Sequence, residues 1–199
     1  MDWPFGEMRP LSYEVICADP PWQFERWSDK NQKKGAADQY NLMPLEDIKA
    51  LPVGHLAGGD CLLLLWTCGW AIATGKAQEV ARAWGFDPIT EIVWRKTTVN
   101  GKVRMGPGYR ARTMHEPILL CTNGSPNIPA LPSLFDGIAR EHSRKPDEFY
   151  RLVERATPKV IRRADLFSRA TRPGWDSWGD ESGKFDAKAT AGSDSVDAA

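Results

Sequence analysis

The segment Asp19-Pro20-Pro21-Trp22 follows an apolar run, residues 15–18, that is typical of a buried strand. Both prolines lack an N–H group and disfavour helix at the residue before them, so the carbonyls here are not consumed by a helical turn. The segment therefore offers a carboxylate, one or two free carbonyls and a large flat ring. These acceptors and this stacking surface suit a planar group that bears an amine, such as a nucleobase.

The chemistry that this segment permits is transfer of a group to an amine. The amine of adenine is a poor nucleophile because its lone pair is delocalised into the ring. Two acceptors, one for each N–H, would hold the nitrogen closer to tetrahedral geometry and stabilise the positive charge that develops during attack on an electrophile. The further requirement is in-line placement of a methyl donor. The alternative is a simple turn after a strand, with Trp22 in the core.

The composition fits one globular domain. The chain has 199 residues, of which 42% are hydrophobic and 26% charged, and its formal net charge is zero. The four cysteines include no C-x-x-C pair and the three histidines lie far apart, so no metal site is expected. The first residues do not have the pattern of a signal peptide, and no apolar run is long enough to span a bilayer. We therefore expect a cytoplasmic protein that does not associate with a membrane.

Alternating strands and helices predict an α/β protein with a mostly parallel sheet. Predicted strands cover residues 15–18, 60–67, 88–96, 116–122, 134–139 and 160–167. Predicted helices cover residues 44–51 and 70–84, and a third begins at Pro146. In such sheets, ligands bind outside the carboxyl ends of the strands, which is where Asp19 lies. We expect a single domain, residues 1–183, followed by a disordered tail, residues 184–199.

Further segments extend the pattern well beyond these four residues. In chain order they are ICADPPWQF, YNLMPLEDIKALPV, LLLLWTCGWAIATGKAQEVARAWGF, EIVWRKT, GPGYRARTMHEPILLCTNGSP, SRKPDEFYRLVER and DLFSRATRPGWDSWGDE. Together they span roughly residues 12–181 and resemble the MT-A70 family of S-adenosylmethionine-dependent adenine-N6 methyltransferases, of bacterial or phage type. The resemblance implies a Rossmann-like fold in permuted order, with the catalytic DPPW strand first and the cofactor strand, RRADLF, last.

The resemblance implies roles for the residues that surround the reacting amine. Asp19, Pro20, Pro21 and Trp22 would form the catalytic motif. Asp19 and the carbonyl of Pro20 would accept the two amine hydrogens, and Trp22 would pack near the reacting centre. Tyr40 lies where the family often has an aromatic residue beside the target base. The alternative for Tyr40 is a loop residue anchored on the core.

The resemblance also implies a site for the cofactor, S-adenosylmethionine, in the last third of the chain. Lys145, in the K-P-D-E segment, would contact the cofactor or the base, and its alternative is a solvated residue just before a helix. Asp180 and Glu181 would reach the ribose hydroxyls, because carboxylates are good acceptors. Many relatives carry asparagine where Asp180 stands. The implied cofactor set is Lys145, Phe167, Arg169, Arg172, Asp180 and Glu181.

A loop of one charge sign predicts contact with nucleic acid. Residues 95–115 contain no Asp or Glu, and their basic residues are Arg95, Lys96, Lys102, Arg104, Arg110 and Arg112. At the carboxyl side of the sheet such a loop would contact phosphates, and we assign substrate contacts to Arg104, Tyr109, Arg110 and Arg112. The alternative is a solvated, flexible loop. The adjacent pair His115-Glu116 matches a recurrent H-E pair of the family, but neither residue is assigned to catalysis.

DNA is favoured over RNA as the polymer, because the small size and the ending RPGWDSWGDE are most similar to bacterial or phage members. An RNA adenine methyltransferase is the near alternative. A non-catalytic nucleic-acid-binding subunit is the rival from a different class, and the intact Asp19 and Lys145 argue against it. A cytosine-N4 methyltransferase ranks low, since those enzymes usually have serine where Asp19 stands. A homodimer or a partner subunit stays open.

Overall fold

Seven strands form one sheet in the computed structural model, which describes residues 3–23, 42–107, 110–141 and 144–186. In chain order they are β1 (Tyr13–Ala18), β2 (Ala57–Trp66), β3 (Asp87–Thr97), β4 (His115–Asn123), β5 (Leu134–Ile138), β6 (Arg163–Leu166) and β7 (Asp176–Trp178). Across the sheet the order is β5-β3-β4-β2-β1-β6-β7. Only β4 among these described strands runs antiparallel to its neighbours, β2 and β3. The predicted α/β fold with a mostly parallel sheet is confirmed.

The described helices cover both faces of the sheet. They are α1 (Leu45–Ala50), α2 (Gly69–Ala73), α3 (Lys76–Ala83) and α4 (Asp147–Ala156), with a short 3-10 helix at Val53–Leu56. The prediction of one helix over residues 70–84 is wrong. Two helices form there because Gly75 adopts a φ of 76°, a left-handed conformation that interrupts the helical backbone between α2 and α3.

Two hydrophobic layers lie on opposite faces of β1. Because side chains alternate along a strand, Ile16 and Ala18 face one layer while Val15 and Cys17 face the other. Residues of α1, α2 and α3 pack in the first layer, and residues of α4 pack in the second. All four of these β1 side chains are fully buried. β1 is therefore a central strand whose position is fixed from both sides.

β1 and β6 are neighbours in the sheet although they lie far apart in the sequence. Cys17 pairs in parallel register with Asp165. This neighbourhood places the residue that follows β1, Asp19, beside the tip of β6, the strand that the resemblance assigns to the cofactor. The sequence did not predict β7, because three residues are too few to show an alternating pattern.

The chain after β7 folds back onto the loop that follows β6. Asp186 accepts hydrogen bonds from the backbone N–H of Thr171 at 2.7 Å and from its hydroxyl at 2.8 Å. The backbone N–H of Phe185 donates to the carbonyl of Arg169 at 3.0 Å. The domain boundary expected at residue 183 falls inside this turn, and residues 187–199 lie outside the described part of the chain.

Candidate active site

Asp19 lies directly after β1, at the edge where the parallel strands end. Its backbone N–H donates to the carbonyl of Leu166 at 3.3 Å, which joins the tip of β1 to the tip of β6. The side chain of Asp19 keeps 26% of its surface exposed. The carboxylate is therefore reachable from solvent, at the end of the sheet where ligands of α/β proteins bind.

A buried lysine faces this carboxylate. Nζ of Lys145 lies 3.7 Å from Oδ2 of Asp19 and 3.2 Å from Oδ1 of Asp165. The side chains of Lys145 and Asp165 are only 4% and 2% exposed. A charge buried this deeply is retained only with a partner, and Asp165 is the nearer of the two carboxylates. Lys145 is thus not the solvated residue of the alternative interpretation.

The surroundings of Asp19 disfavour its charged form. Removal of the carboxylate from water raises the pKa of Asp19 from 3.8 to about 6; Lys145 opposes this change, whereas the carboxylates of Glu116 and Asp165 reinforce it. Burial acts most strongly against the charge of Lys145, but the combined attraction of Asp165, Tyr150, Cys17 and Asp19 outweighs it and holds the pKa of the ammonium well above its ordinary value. At neutral pH the site therefore holds an ionised carboxylate beside a fixed cation.

The two prolines form a turn whose carbonyls already accept backbone hydrogen bonds. The N–H of Trp22 donates to the carbonyl of Pro20 at 2.8 Å, and the N–H of Met43 donates to the carbonyl of Pro21 at 3.0 Å. The expectation that these carbonyls are unoccupied is therefore wrong, although a carbonyl oxygen can accept a second hydrogen bond.

Trp22 anchors this turn in the core. Its side chain is 7% exposed, and its indole N–H donates to the carbonyl of Trp66 at 3.0 Å. The ring packs inside the protein and does not present the stacking surface that the sequence suggested. Its contribution is to hold the segment between Asp19 and residue 23 in place.

Close packing behind Lys145 fixes the start of α4. A β-carbon on Gly137 of β5 would lie 2.7 Å from Nε1 of Trp94 and 2.8 Å from Cβ of Pro146, the residue that caps α4. Arg140 donates to the carbonyl of Lys145 at 3.2 Å. Because glycine alone permits this approach, the start of α4 packs closely on β5. This packing holds Lys145 near Asp19, after β1, and near Asp165, in β6.

The loop after β6 contains the expected cofactor residues and is tightly folded. Phe167 adopts a φ of 59°, and its ring meets Trp178 edge-on at 5.2 Å. A β-carbon on Gly179 would lie 3.0 Å from Cα of Phe167. Asp180 follows and is exposed. Gly179 is required by this close backbone packing, whereas an aromatic ring and an exposed carboxylate fit the ring and ribose of an adenosyl group in chemical type.

The remaining expected cofactor residues have protein partners. Nη2 of Arg169 lies 2.6 Å from Oε2 of Glu181, and Lys184 pairs with the same carboxylate. Glu181 is therefore held by two cations, which lower its pKa, Lys184 most strongly. Arg172 pairs with Asp147, and its guanidinium lies over the ring of Tyr150 at 4.1 Å.

The basic segment divides into two parts. Arg95 and Lys96 belong to β3, as the strand predicted over residues 88–96 has it, and form ion pairs with Asp136 and Glu116, so grouping them with the one-signed loop is wrong. Lys102, Arg104, Arg110 and Arg112 lie in the exposed segment between β3 and β4. Because β3 ends and β4 begins at the edge that carries Asp19, this segment lies on the side of the sheet expected for a substrate contact.

Arg104 joins the basic segment to the region that carries Lys145. Its guanidinium donates to the carbonyls of Ala139 and Arg140 at 3.2 and 3.4 Å. Arg112 donates to the carbonyl of Gly106 at 3.2 Å, which closes the segment on itself. The two aromatic residues assigned to the substrate, Tyr40 and Tyr109, lie outside the described residues.

Sequence reasoning missed three residues of this site. Tyr150 donates to Asp165 at 2.7 Å, and Asp165 in turn pairs with Lys145. Glu116, which was set aside, is close enough to raise the pKa of Asp19. The sequence could have indicated Asp165 only as a carboxylate inside an apolar strand, because a buried charge requires a partner.

In the described part of the chain, no cluster of three or more His, Cys, Asp or Glu side chains is arranged to bind a metal ion. No described helix has both the length and the apolar character needed to cross a membrane.

The architecture is that of an α/β Rossmann-like methyltransferase. The sequence model of the MT-A70 family matches residues 13–181, which is most of the chain, and the chain therefore belongs to this family.

The chain is also similar to individual methyltransferases. It is 27% identical to the Type II methyltransferase M.MunI of Mycoplasma sp, over 90% of this chain and 82% of that protein. It is 31% identical to a putative N(6)-adenosine-methyltransferase MT-A70-like of Medicago truncatula, over 85% of this chain and 26% of that protein. It is 29% identical to the N6-methyladenosine RNA methyltransferase MTA1 of Cryphonectria parasitica, over 87% of this chain and 52% of that protein. The chain thus spans most of the first relative and about a quarter and a half of the other two.

Proposed function

We propose that this protein is a S-adenosylmethionine-dependent methyltransferase that acts on the N6 amine of adenine in DNA. The observation that carries the proposal is the carboxylate of Asp19, reachable from solvent at the tip of β1 and 3.7 Å from the buried ammonium of Lys145. A carboxylate in this setting is the acceptor that an exocyclic amine needs.

Asp19 and the carbonyl of Pro20 would hold the amine during the reaction. The carboxylate accepts one N–H and the second lone pair of the Pro20 carbonyl accepts the other, so the nitrogen lone pair turns out of the ring plane. The negative charge of Asp19 stabilises the positive charge that develops on the nitrogen. Because the pKa of Asp19 is about 6, its carboxylate is also a suitable acceptor for the proton that the nitrogen then loses.

The loop after β6 would hold the methyl donor. Bound S-adenosylmethionine would supply the activated methyl group. Phe167 and the carboxylates of Asp180 and Glu181 would bind its adenosyl end. Lys145 lies 3.2 Å from Asp165 in β6 and 3.7 Å from Asp19. Arg169 would keep Glu181 oriented through the ion pair that the two already form.

DNA is the proposed polymer because the chain matches 82% of the type II methyltransferase. It matches only 52% of the RNA methyltransferase MTA1 and 26% of the adenosine methyltransferase of Medicago truncatula, which contain much additional chain. The exposed arginines between β3 and β4 would contact phosphates. Adenine in a duplex would have to be flipped out of the stack, at a cost of a few kcal/mol that a single strand avoids. RNA is the second candidate, supported by the relatives that carry its modification in their names.

The test is methyl transfer in purified components. Wild-type protein and the Asp19→Ala variant are incubated with isotope-labelled S-adenosylmethionine and matched DNA and RNA oligonucleotides, alone and in competition, and the nucleosides are analysed by mass spectrometry. N6-methyldeoxyadenosine formed by the wild type alone supports the proposal. N6-methyladenosine in RNA alone would keep the mechanism and replace the substrate.

A non-catalytic subunit makes a different prediction. Calorimetry with S-adenosylhomocysteine should show binding to an enzyme and none to a scaffold that only keeps the fold. Absence of both binding and methyl transfer, in protein that unfolds cooperatively, would overturn the proposed function.

A further inference from the structure

The carboxylate of Asp165 contacts Tyr150 with one oxygen and Lys145 with the other, and Lys145 in turn lies near Asp19. Its Oδ2 accepts the hydroxyl of Tyr150 at 2.7 Å, and its Oδ1 lies 3.2 Å from Nζ of Lys145. The same Nζ lies 3.7 Å from Oδ2 of Asp19. Four side chains, Tyr150, Asp165, Lys145 and Asp19, therefore form one continuous polar chain that runs from beneath α4 to the open end of the sheet.

The inner part of this chain is rigid. Asp165 is in β6, and Tyr150 packs edge-on between the rings of Phe149 at 5.3 Å and Trp175 at 5.4 Å. Arg172 covers the Tyr150 ring. A buried carboxylate that is bonded on both oxygens cannot turn, so the position of Lys145 is set by Asp165 and not by Asp19.

Lys145 lies closer to Asp165 than to Asp19, and this difference leaves the carboxylate of Asp19 accessible. At 3.7 Å Lys145 attracts Asp19 without making a short hydrogen bond to it, whereas it is closer to Asp165. A lysine drawn fully onto Asp19 would occupy a carboxylate oxygen that the substrate amine requires. Asp165 therefore holds the cation back while its charge still acts on Asp19.

The groups that face Asp19 come from several elements. They are Lys145 before α4, Asp165 in β6, Glu116 in β4, Cys68 before α2 and Cys17 in β1. Lys145 is the cation among these described neighbours, while Asp165 and Glu116 are acidic. A change in Asp165 alters both the charge near Asp19 and the freedom of Lys145.

We propose that Asp165 and Tyr150 are positioning residues, which hold the ammonium of Lys145 at a distance that leaves the carboxylate of Asp19 open to the substrate amine. The catalytic meaning of this role rests on the proposed methyl transfer. The positioning itself is a property of the protein alone and can be measured without activity.

The test uses two isosteric variants that act in opposite directions. In Asp165→Asn, the acidic neighbour is lost and Lys145 turns to Asp19, so Asp19 should titrate about one pH unit lower. Because Lys145 then occupies the carboxylate of Asp19, the maximal rate of methyl transfer should fall about tenfold. The affinity for S-adenosylhomocysteine should change little. In Tyr150→Phe, Asp165 loses a donor and draws Lys145 more strongly, so Asp19 should titrate at a higher pH than in the wild type.

Matched controls exist at the other end of β1. The hydroxyl of Tyr13 donates to Oδ2 of Asp176 at 2.6 Å, a pair of the same two residue types far from the tip. Tyr13→Phe and Asp176→Asn should leave the titration of Asp19 unchanged. Titration is followed by NMR of protein labelled at the aspartate carboxyl carbons, with Asp19→Asn used to assign the signal, alongside the pH profile of single-turnover methyl transfer.

The outcomes separate the two proposals. Opposite shifts of the Asp19 titration in the two site variants, absent from the controls, establish the positioning role even if no methyl transfer is detected, in which case only the proposed function fails. An unchanged Asp19 titration in both site variants, or equal shifts in the controls, overturns the positioning role. If Asp165→Asn does not fold, the direction of the Tyr150→Phe shift decides.

Discussion

At the scale of the residue, Asp19 shows how a site can oppose the stability of the fold that contains it. Burial raises the pKa of its carboxyl to about 6, so that holding it ionised at neutral pH costs free energy. The same burial strengthens the interaction between the carboxylate and any positive charge that develops beside it. Burial therefore makes the charge of Asp19 unfavourable in the resting protein and effective in the reaction.

This cost gives a stability prediction for Asp19→Asn. The unfolded carboxyl ionises near pH 4 and the folded one near pH 6, so the wild type loses stability relative to the variant as pH rises through that window. Above pH 6 we expect the variant to be more stable by up to about 3 kcal/mol. Urea unfolding at pH 4 and pH 8 measures this; a variant that is less stable at pH 8 would contradict the prediction.

Activity should show the opposite dependence on Asp19. If the ionised carboxylate is required, methyl transfer by the wild type should rise with pH through about 6 and become level above it, since Asp19 then carries its charge. Asp19→Ala should abolish transfer, and Asp19→Asn should be severely impaired because it loses the charge. Near-normal turnover by Asp19→Ala, in folded protein, would remove Asp19 from the mechanism.

At the scale of the element, the approach of β5 to α4 sets the place of Lys145. Gly137 makes this approach possible because any β-carbon would collide with Trp94 and Pro146. We expect Gly137→Ala to destabilise the protein by about 1–3 kcal/mol through overpacking. It should also lower the rate of methyl transfer on the order of tenfold by displacing Lys145.

The control for Gly137→Ala is Gly6→Ala. Gly6 has a positive φ of 57°, so an alanine there strains the backbone, but its β-carbon meets no atom within 4 Å and the residue lies outside the site. Denaturant unfolding and single-turnover rates compare the two variants. A Gly137→Ala protein with wild-type rates would show that the β5–α4 contact does not position Lys145.

The segment between β3 and β4 gives a second prediction at this scale. Arg110→Ala and Arg112→Ala should each weaken nucleic-acid binding and reduce the slope of log affinity against log salt by about 0.8, as expected for one lost phosphate contact. Arg155, at the far end of α4, donates to the carbonyl of Arg151 and serves as the matched control. Salt slopes equal to that of Arg155→Ala would show that this segment does not contact phosphates.

At the scale of the whole molecule, the strands that contain runs of several apolar residues could be predicted from the sequence. The runs in β1, β2 and β4 show their burial directly, whereas β7 has three residues and no pattern. In the site, Asp19 and Lys145 could be found from their motifs. Tyr150 could not, because its role depends on a contact between β6 and α4 that no local pattern records, and Asp165 shows in the sequence only as a carboxylate inside an apolar strand. The close approach at Gly137 is invisible for the same reason.

The extent of the domain is tested by shortening the chain. A chain of residues 1–158 lacks β6 and β7, which leaves an edge of β1 unpaired, and we expect no cooperative unfolding. A chain of residues 1–186 should unfold like the full chain, since it keeps the turn in which Asp186 binds Thr171. A chain of residues 1–183 lacks that contact and should be slightly less stable. Cooperative unfolding of the shortest chain would show that β6 is not needed for the core.

The adjacency of β1 and β6 also has a consequence for folding during synthesis on the ribosome. The backbone N–H of Arg162 donates to the carboxylate of Glu14 in β1, 148 residues earlier, so β1 is synthesised long before its neighbour β6. Contacts of such long sequence separation form slowly, and β1 meanwhile exposes one unpaired apolar edge to chaperones and to other nascent chains. Since Asp19 receives its backbone partner and its buried cation only when β6 and α4 dock, a half-made chain cannot carry out the chemistry of the finished one.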